Sequence, residues 1–207
     1  MNAPDHSFQI NARHPFEVAQ RVLAILAVLD RACSSEAAPT VDWVYAYNID
    51  RYFSEAERDF YFSAVVSDED RLDFSWLSES LPPMLWALGY LEEMPKLDQR
   101  FALEKIPYLY QITNSTAQFL GDACLRHNDA LSIAEEQHCQ AHWQAMQPVK
   151  KAEKIKELID PDIIYERRYA ISWLVGLGDS WDNVTLDSVA WTTQSQSAIY
   201  KTNGLSN

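Results

Sequence analysis

The sequence predicts a mainly α-helical protein, folded as a single compact multi-helix domain with minor or no strand content. Apolar residues recur with helical spacing in several segments, and residues that favour helix starts precede them. Only 5 of the 207 residues are glycine, which disfavours turn-rich β folds and glycine-rich phosphate loops. At this length, one domain with its own hydrophobic core is expected.

The N-terminal third contains three predicted helices. The first begins at Pro15, because proline suits the first helical turn. An apolar stripe follows, which we expect in the core: Val18, Val22, Ile25, Leu26 and Leu29. Residues 41–53 fit helix or strand, and helix is favoured. Ser54 and Glu57 have the spacing of a capping box, which predicts a helix to about Val66.

Later segments contain clearer start and stop signals. Pro82 and Pro83 predict a break or kink within residues 72–89, because neither has an amide donor. The second half of this segment, from Met84, should end at Gly89. Residues 91–111 are expected to be mostly loop. Further helices are predicted over 113–125, 128–146, 152–159 and 161–175, the last one capped by Asp160.

The chain divides into an N-terminal extension (1–12), a helical domain (13–188) and a tail rich in Ser, Thr and Gln (189–207). The cysteines Cys33, Cys124 and Cys139 are far apart, which indicates reduced thiols and no zinc motif. The longest apolar run, residues 22–29, is shorter than the ~20 residues that span a bilayer. No secretory signal is visible, so we expect a cytoplasmic protein without membrane contact.

Acidic residues outnumber basic ones by 30 to 17, giving a net charge of −13. This balance disfavours nucleic acid as a partner. Most of the excess lies in residues 1–95, whose net charge is −10. We identify a set of acids there as candidate partner-binding residues: Asp50, Asp59, Asp68, Glu69, Asp70 and Asp73. They form either a solvated face or a docking surface for a basic protein, with Trp43, Tyr45, Tyr47 and Tyr52 as candidate aromatic anchors.

Four stretches beginning at Arg13, Phe74, Cys139 and Asp162 together resemble a bacterial family, domain-of-unknown-function family 4272. The most specific stretch is DIIYERRYAISWLVGLGDSWDNVTLD, from Asp162. The resemblance covers about residues 13–188 and implies a mainly helical domain with no established chemistry. The matching positions are Glu79, Trp86, Gly89, His142, Trp143, Glu166, Arg167, Trp173, Trp181, Asp182 and Asp187. The sequence departs from the family pattern at Pro82 and Pro83 and again at His138 and Cys139.

A structural polar network is predicted from charged residues in apolar surroundings. Glu166 and Arg167, together with Glu79, are expected to form buried ion pairs that fix helix packing. Asp182 and Asp187 should return the chain onto the core by accepting hydrogen bonds. We also expect Trp86 and Trp173 in the core.

A metal site is the main chemical alternative. Glu135, His138 and His142 lie at positions i, i+3 and i+7, so they share one face of a helix. Glu-x-x-His is the spacing of carboxylate-bridged metal sites in helical bundles, where a second helix adds carboxylates such as Glu79 or Glu166. Paired structural charges explain the same residues more simply, and no hydrolase motif is present. We therefore expect no metal and no cofactor.

The leading functional hypothesis is a non-enzymatic, cytoplasmic protein-binding domain whose acidic N-terminal half binds a partner with a basic surface. An immunity or antitoxin protein that blocks a basic toxin cleft is the favoured subtype, by analogy of charge and size. The alternative is an uncharacterised enzyme or metal-binding helical protein that uses Glu79, Glu135, His142 and Glu166.

Overall fold

Helices and connecting loops make up residues 10–34, 41–106, 109–146 and 159–186, the part of the chain that the computed structural model describes. No strand occurs among these residues, which confirms the all-helical class. The α-helices, numbered in chain order, are α1 (Pro15–Cys33), α2 (Val41–Ala46), α3 (Glu55–Phe62), α4 (Asp68–Ser75), α5 (Leu81–Ala87), α6 (Leu109–Asn114), α7 (Thr116–Gly121), α8 (Asn128–Ala145) and α9 (Pro161–Leu174). Short 3-10 helices cover Ile49–Tyr52, Trp76–Ser80, Leu103–Lys105 and Trp181–Asn183.

The long helix α1 is the centre of the fold. It is buried on nearly all sides, because α3, α4, α5 and α7 all pack against it. Pro15 occupies its first turn, and the side chain of His14 accepts a hydrogen bond from the amide of Phe16. At the other end, Arg71 of α4 donates to the carbonyl oxygens of Arg31 and Ser34 at 2.8 and 2.5 Å. These contacts satisfy carbonyl groups that the end of the helix leaves unpaired.

Capping boxes start both α3 and α4. Ser54 with Glu57 caps α3 as predicted, and Ser67 with Asp70 caps α4 in the same way. Helix α3 ends at Phe62, earlier than predicted, because Ser63 is extended and its hydroxyl contacts the backbone of Val65. The new cap at Ser67 then begins a separate helix.

The helix break that was predicted at Pro82 and Pro83 occurs a few residues before them. A 3-10 helix covers Trp76–Ser80, and α5 begins at Leu81, with Pro82 and Pro83 in its first turn. Prolines are tolerated there because the first amides of a helix have no partner within it. Gly89 follows α5 with a φ of +81°.

The structure corrects two further expectations. Trp86 is only half-buried and packs against the edge of the core, with the Arg126 guanidinium 4.9 Å from its ring centroid. The predicted helix over 113–125 is wrong: α6 and α7 replace it, divided at Ser115. Near this break, Thr113 and Asn114 donate side-chain hydrogen bonds to the carbonyls of α6, which compete with helix continuation.

Helices α8 and α9 form the second half of the structure. They pack against each other, and α9 also contacts α5 and the 3-10 helix before it. Asp160 accepts from the amides of Asp162 and Ile163, so it caps α9 as predicted. Residues 152–158 of another predicted helix, Asp187 and the tail at 189–207 lie outside the described residues. None of the described helices combines the length and apolar character needed to cross a membrane.

Candidate functional site

Glu79 and Arg167 form a fully buried ion pair, with both side chains 0% exposed. Arg167 donates to Glu79 Oε2 from Nη2 at 2.8 Å and from Nε at 3.0 Å. The other carboxylate oxygen accepts from the amide of Phe101 at 2.6 Å. This pair joins α9 to the segment before α5 and to the loop around Phe101. Because neither side chain reaches solvent, the pair is suited to fixing helix packing and not to binding a substrate.

Glu166 lies beside this pair but has no ion pair with a described residue. The five N–H groups of Arg167 already have partners, since it also donates to the carbonyls of Pro95, Lys96 and Gln99. The prediction that Glu166 forms an ion pair with Arg167 is therefore wrong: among the described residues, Arg167 pairs with Glu79 instead. Burial raises the pKa of Glu166 to about 7, and the negative charges of Glu79 and Asp162 act in the same direction.

This raised pKa predicts an unusual pH dependence. Between about pH 4.5 and 7 the folded protein binds more protons at Glu166 than the unfolded chain, so ionisation of Glu166 lowers stability as pH rises. Glu166→Gln should remove this loss. We expect the variant to be more stable than the native protein at about pH 8, by on the order of 2 kcal/mol, and the difference to disappear near pH 4.

Denaturant titrations across this pH range measure the effect. Glu69→Gln, which removes an exposed carboxylate of α4, controls for the general loss of one negative charge. A Glu166→Gln protein that is less stable than the native protein at high pH would show that the ionised carboxylate is stabilising.

The two histidines of the predicted metal site face the α8–α9 interface. His142 Nδ1 lies 2.7 Å from Arg168 Nη1, and arginine can only donate, so Nδ1 accepts. His138 Nδ1 lies 2.7 Å from the carbonyl oxygen of Ala134, so this nitrogen donates. Burial lowers the pKa of His138. Each histidine thus has a hydrogen-bond partner, and the Nδ1 lone pair of His142 already accepts a hydrogen bond from Arg168.

Glu135 is the third residue of the predicted metal set, but its carboxylate and the two histidines do not surround a common point. Burial raises the pKa of its carboxyl, while the Arg168 guanidinium opposes that shift. Across the described parts of the chain, no group of three or more His, Cys, Asp or Glu side chains is placed to hold a metal ion. The geometry therefore gives no support to the metal-binding alternative.

A second buried ion pair joins Arg21 of α1 to Glu57 of α3, each 3% exposed. Arg21 Nη1 donates to Glu57 Oε2 at 2.8 Å and Nη2 contacts Oε1, so the pair is bidentate. Glu57 Oε2 also accepts from the amide of Ser54 at 2.9 Å. Sequence reasoning assigned Glu57 only to the cap. The available signal was Arg21 itself, a charge within a helix that is otherwise apolar on most sides.

Six carboxylates on α3 and α4 are exposed, namely Glu55 and five of the predicted partner-binding residues. We call these five the acidic face: Asp59, Asp68, Glu69, Asp70 and Asp73. Asp70 is also engaged by the cap, since its Oδ2 accepts from Ser67 Oγ at 2.6 Å. Asp50, the sixth predicted partner-binding residue, is half-buried, and its Oδ2 lies 3.7 Å from Nη1 of Arg58. The structure thus groups five of the six predicted acids on neighbouring helices.

A groove of about 370 Å³ lies between α3 and α4. We call it the acidic groove, because Asp59 and Asp70 contribute to a lining that is otherwise mostly apolar: Ala56, Phe60, Ser63, Val65, Val66 and Phe74. The rings of Phe60 and Phe74 stack with centroids 4.1 Å apart, and Val65 is 83% exposed. Apolar surface and negative charge therefore occur together at this place.

The candidate aromatic anchors differ in exposure. Tyr45 is 55% exposed and stacks on Phe62 of α3, with ring centroids 6.1 Å apart. Trp43, Tyr47 and Tyr52 are half-buried against the core. Only Tyr45 among the four is thus displayed near the acidic face.

A second concavity, of about 260 Å³, lies between α1, the segment before α3 and the loop after α9. We call it the aromatic cleft. Its lining includes residues from all three segments and from the end of α9: Glu17, Arg21, Tyr52, Trp173, Asp179, Trp181 and Asp182. The Arg21 guanidinium carbon lies 4.1 Å from the centroid of the Trp181 ring, and the Trp181 and Trp173 rings pack edge-to-face with their centroids 5.5 Å apart. Sequence reasoning missed this cleft, because its segments are far apart in the chain.

The loop after α9 is fixed against the start of α1. Gly176 has a φ of +92°, and a Cβ atom there would lie 2.3 Å from the carbonyl oxygen of Asn11. Arg13 donates to the carbonyls of Trp173 and Gly178 at 2.9 and 2.7 Å. Its guanidinium also lies 4.5 Å from the Trp173 ring centroid. These contacts position the residues of the aromatic cleft.

Asp182 was predicted to return the chain onto the core. In the structure it is exposed at the mouth of the aromatic cleft, without a hydrogen bond or ion pair to another described residue. The hydroxyl of Tyr169 instead contacts the carbonyl of Trp181 and holds this loop to α9.

Comparison with curated proteins and with solved structures found no significant match. The family model for a domain of unknown function (DUF4272) matches residues 5–184. This span includes every described helix, both buried ion pairs, the acidic face and the aromatic cleft. Since the match covers most of the chain, the protein belongs to the DUF4272 family.

Proposed function

We propose that this chain is a non-enzymatic, cytoplasmic protein-binding domain whose acidic face binds a basic protein partner. The observation that carries the proposal is the acidic groove, where Asp59 and Asp70 adjoin the stacked rings of Phe60 and Phe74. A solvated surface needs charges alone, whereas an interface also needs an apolar area to bury.

The groove suits the side chain of a lysine or arginine. Such a side chain has an apolar stem, which would pack against Val65 and the aromatic rings, and a cationic head, which would reach a carboxylate. Helix α4 has no buried residue, and its four carboxylates are all exposed. The exposed Tyr45–Phe62 stack supplies an apolar contact from the neighbouring α2 and α3.

The net charge of −13 supports a partner with a basic surface, since complementary fields steer association and exclude acidic competitors. An immunity or antitoxin protein fits this chemistry, because such a protein must cover a basic toxin cleft in competition with the substrate. We propose this subtype on charge and size.

The enzyme alternative finds less support in the geometry. Glu79 is 0% exposed and its carboxylate is shared between Arg167 and the amide of Phe101. Glu135 and His142 are placed in the α8–α9 interface, away from both concavities. Neither the acidic groove nor the aromatic cleft therefore brings Glu79, Glu135 or His142 to a substrate.

Neutralising three exposed acids tests the proposal. The triple variant Asp59→Asn, Glu69→Gln and Asp73→Asn leaves the Ser67–Asp70 cap intact. We expect association with a basic partner, obtained by pull-down, to slow by about tenfold at low salt, because steering is lost. Stopped-flow measurements at several salt concentrations report the rate and its screening.

The matched control removes three other exposed acids: Glu92→Gln, Glu93→Gln and Glu104→Gln. It changes the net charge equally and should slow association much less. Equal effects of the two triple variants would locate the steering in the total charge and contradict the role of the acidic face.

A further inference from the structure

The aromatic cleft combines ring surface and carboxylates that solvent reaches. Tyr52 and Trp181 in its lining are half-buried, and Asp179 and Asp182 are exposed. Neither aspartate has a hydrogen bond or an ion pair with another described residue. A ligand in the cleft would therefore meet both aromatic carbon and uncompensated negative charge.

The other charges of the lining are balanced within the protein. Arg21 is neutralised by Glu57, since the two side chains form a buried bidentate pair. The carboxylate of Glu17 lies 2.8 Å from Nη1 of Arg13, which compensates its charge. Among the described residues of the lining, only the two aspartates remain without a counterion. The cleft therefore favours a cation.

The aromatic rings narrow the class of cation. A planar guanidinium stacks on aromatic faces and donates to carboxylates through a rigid fork, whereas an ammonium group is more strongly hydrated and has no plane to stack. The protein itself uses such stacking at the cleft, where the Arg21 guanidinium lies 4.1 Å from the Trp181 ring centroid. The guanidinium of Arg13 lies 4.5 Å from the Trp173 ring centroid. The lining is therefore suited to a further guanidinium.

The size and position of the cleft indicate the source of that guanidinium. Its volume of about 260 Å³ is below the ~300–1,000 Å³ of pockets for whole small molecules, so it suits a single side chain. The cleft also adjoins the acidic groove, because Ser54 lines the cleft and Ala56 lines the groove. Helix α3, which begins between these residues, is about 12 Å long, so one protein interface of standard size can cover both concavities.

We propose that the aromatic cleft binds an arginine side chain of the same basic protein that the acidic face binds, an inference that rests on the proposed function. The guanidinium stacks on the rings of Tyr52 and Trp181. It donates hydrogen bonds to the carboxylates of Asp179 and Asp182. This second anchor slows dissociation of the partner, whereas the charges of the acidic face speed its association.

Nuclear magnetic resonance of the full chain tests the cleft without a partner. The probe is arginine with both backbone ends blocked, compared with blocked citrulline, its neutral isostere, and blocked lysine. Trp181→Phe assigns the Trp181 indole N–H resonance among the seven tryptophans, and this ring lines the cleft but not the groove. We expect blocked arginine to shift the resonance saturably, with a dissociation constant on the order of 1 mM. Citrulline should bind at least about tenfold more weakly and lysine about threefold more weakly.

Asp182→Asn should weaken the binding of blocked arginine about fivefold, because a charge-assisted hydrogen bond becomes a neutral one. Asp182 is exposed, so this variant keeps the fold. Asp98→Asn changes another exposed aspartate, outside both concavities, and should bind as the native chain does. A shift that does not saturate by roughly 20 mM arginine, equal binding of citrulline or lysine, or unchanged binding in Asp182→Asn would each overturn the guanidinium site.

The cleft and the acidic face fail in different measurements. With the partner used for the association rates above, Asp182→Asn should raise the dissociation rate about fivefold and leave the association rate within about twofold. An unchanged dissociation rate would overturn the place of the cleft in that interface. Equal association rates of the two triple variants would instead contradict the acidic face, while the arginine titration would still decide whether the cleft binds a guanidinium.

Discussion

Glu79→Gln is expected to destabilise the folded protein by about 3–5 kcal/mol, because it leaves Arg167 charged and buried without a counterion. Both partners are 0% exposed, so no solvent reaches the stranded guanidinium. The carbonyls that accept from Arg167 stabilise the cation only in part, since they have no net charge. Urea unfolding at pH 7 measures the loss of free energy.

The surface pair of Asp50 and Arg58 provides the control. These side chains lie 3.7 Å apart, at 24% and 45% exposure, so Asp50→Asn should cost less than about 1 kcal/mol. A double variant, Glu79→Gln with Arg167→Met, removes both charges. It should lose less than the sum of the two single variants, because neither charge is then stranded. Additive losses would show that the two residues stabilise the fold independently.

Local signals explain which helices could be predicted. Pro15, the Ser54–Glu57 box and the Asp160–Pro161 start act within one helical turn, so their residue types specify the start. Pro82 and Pro83 correctly predicted that residues 72–89 do not form one continuous helix, but the interruption lies before the prolines and not at them. Proline can either interrupt a helix or occupy the first turn of a new one. Here the packing of the preceding 3-10 helix places both prolines in the first turn of α5.

Contacts between distant residues could not be predicted in the same way. Arg21 and Glu57 are 36 positions apart, and no spacing rule connects them. Glu166 and Arg167 are adjacent, yet only Arg167 has a buried counterion, because Glu79 lies on its side of α9. A sequence shows that such charges are costly to bury, but the fold decides which of them is paired.

The two candidate sites differ in how far the sequence predicts them, because one is formed by neighbouring residues and the other by distant ones. The acidic face comes from one continuous region, so its composition was visible in the sequence. The aromatic cleft requires α1 to meet the loop after α9, and Arg13 makes that contact across about 160 residues. Its residues carry no spacing that predicts a common site.

Trp173→Ala is expected to cost about 3–5 kcal/mol, because it deletes a large buried side chain where two distant segments meet. The indole is 3% exposed, and it packs edge-to-face with the Trp181 ring and beneath the guanidinium of Arg13. Its removal leaves space between α1 and the loop after α9. Gly176 fits closely against Asn11, so this loop cannot readily shift to fill that space.

Two variants calibrate this loss in the same urea titration. Tyr110→Ala removes an aromatic side chain that is 79% exposed, so its cost should stay within about 1 kcal/mol. Trp173→Phe keeps a ring in the core and breaks no hydrogen bond with a described residue, since Nε1 has none. It should therefore lose less than half as much as Trp173→Ala. A Trp173→Ala loss below about 1 kcal/mol would mean that the contact between α1 and this loop is not part of the stabilising core.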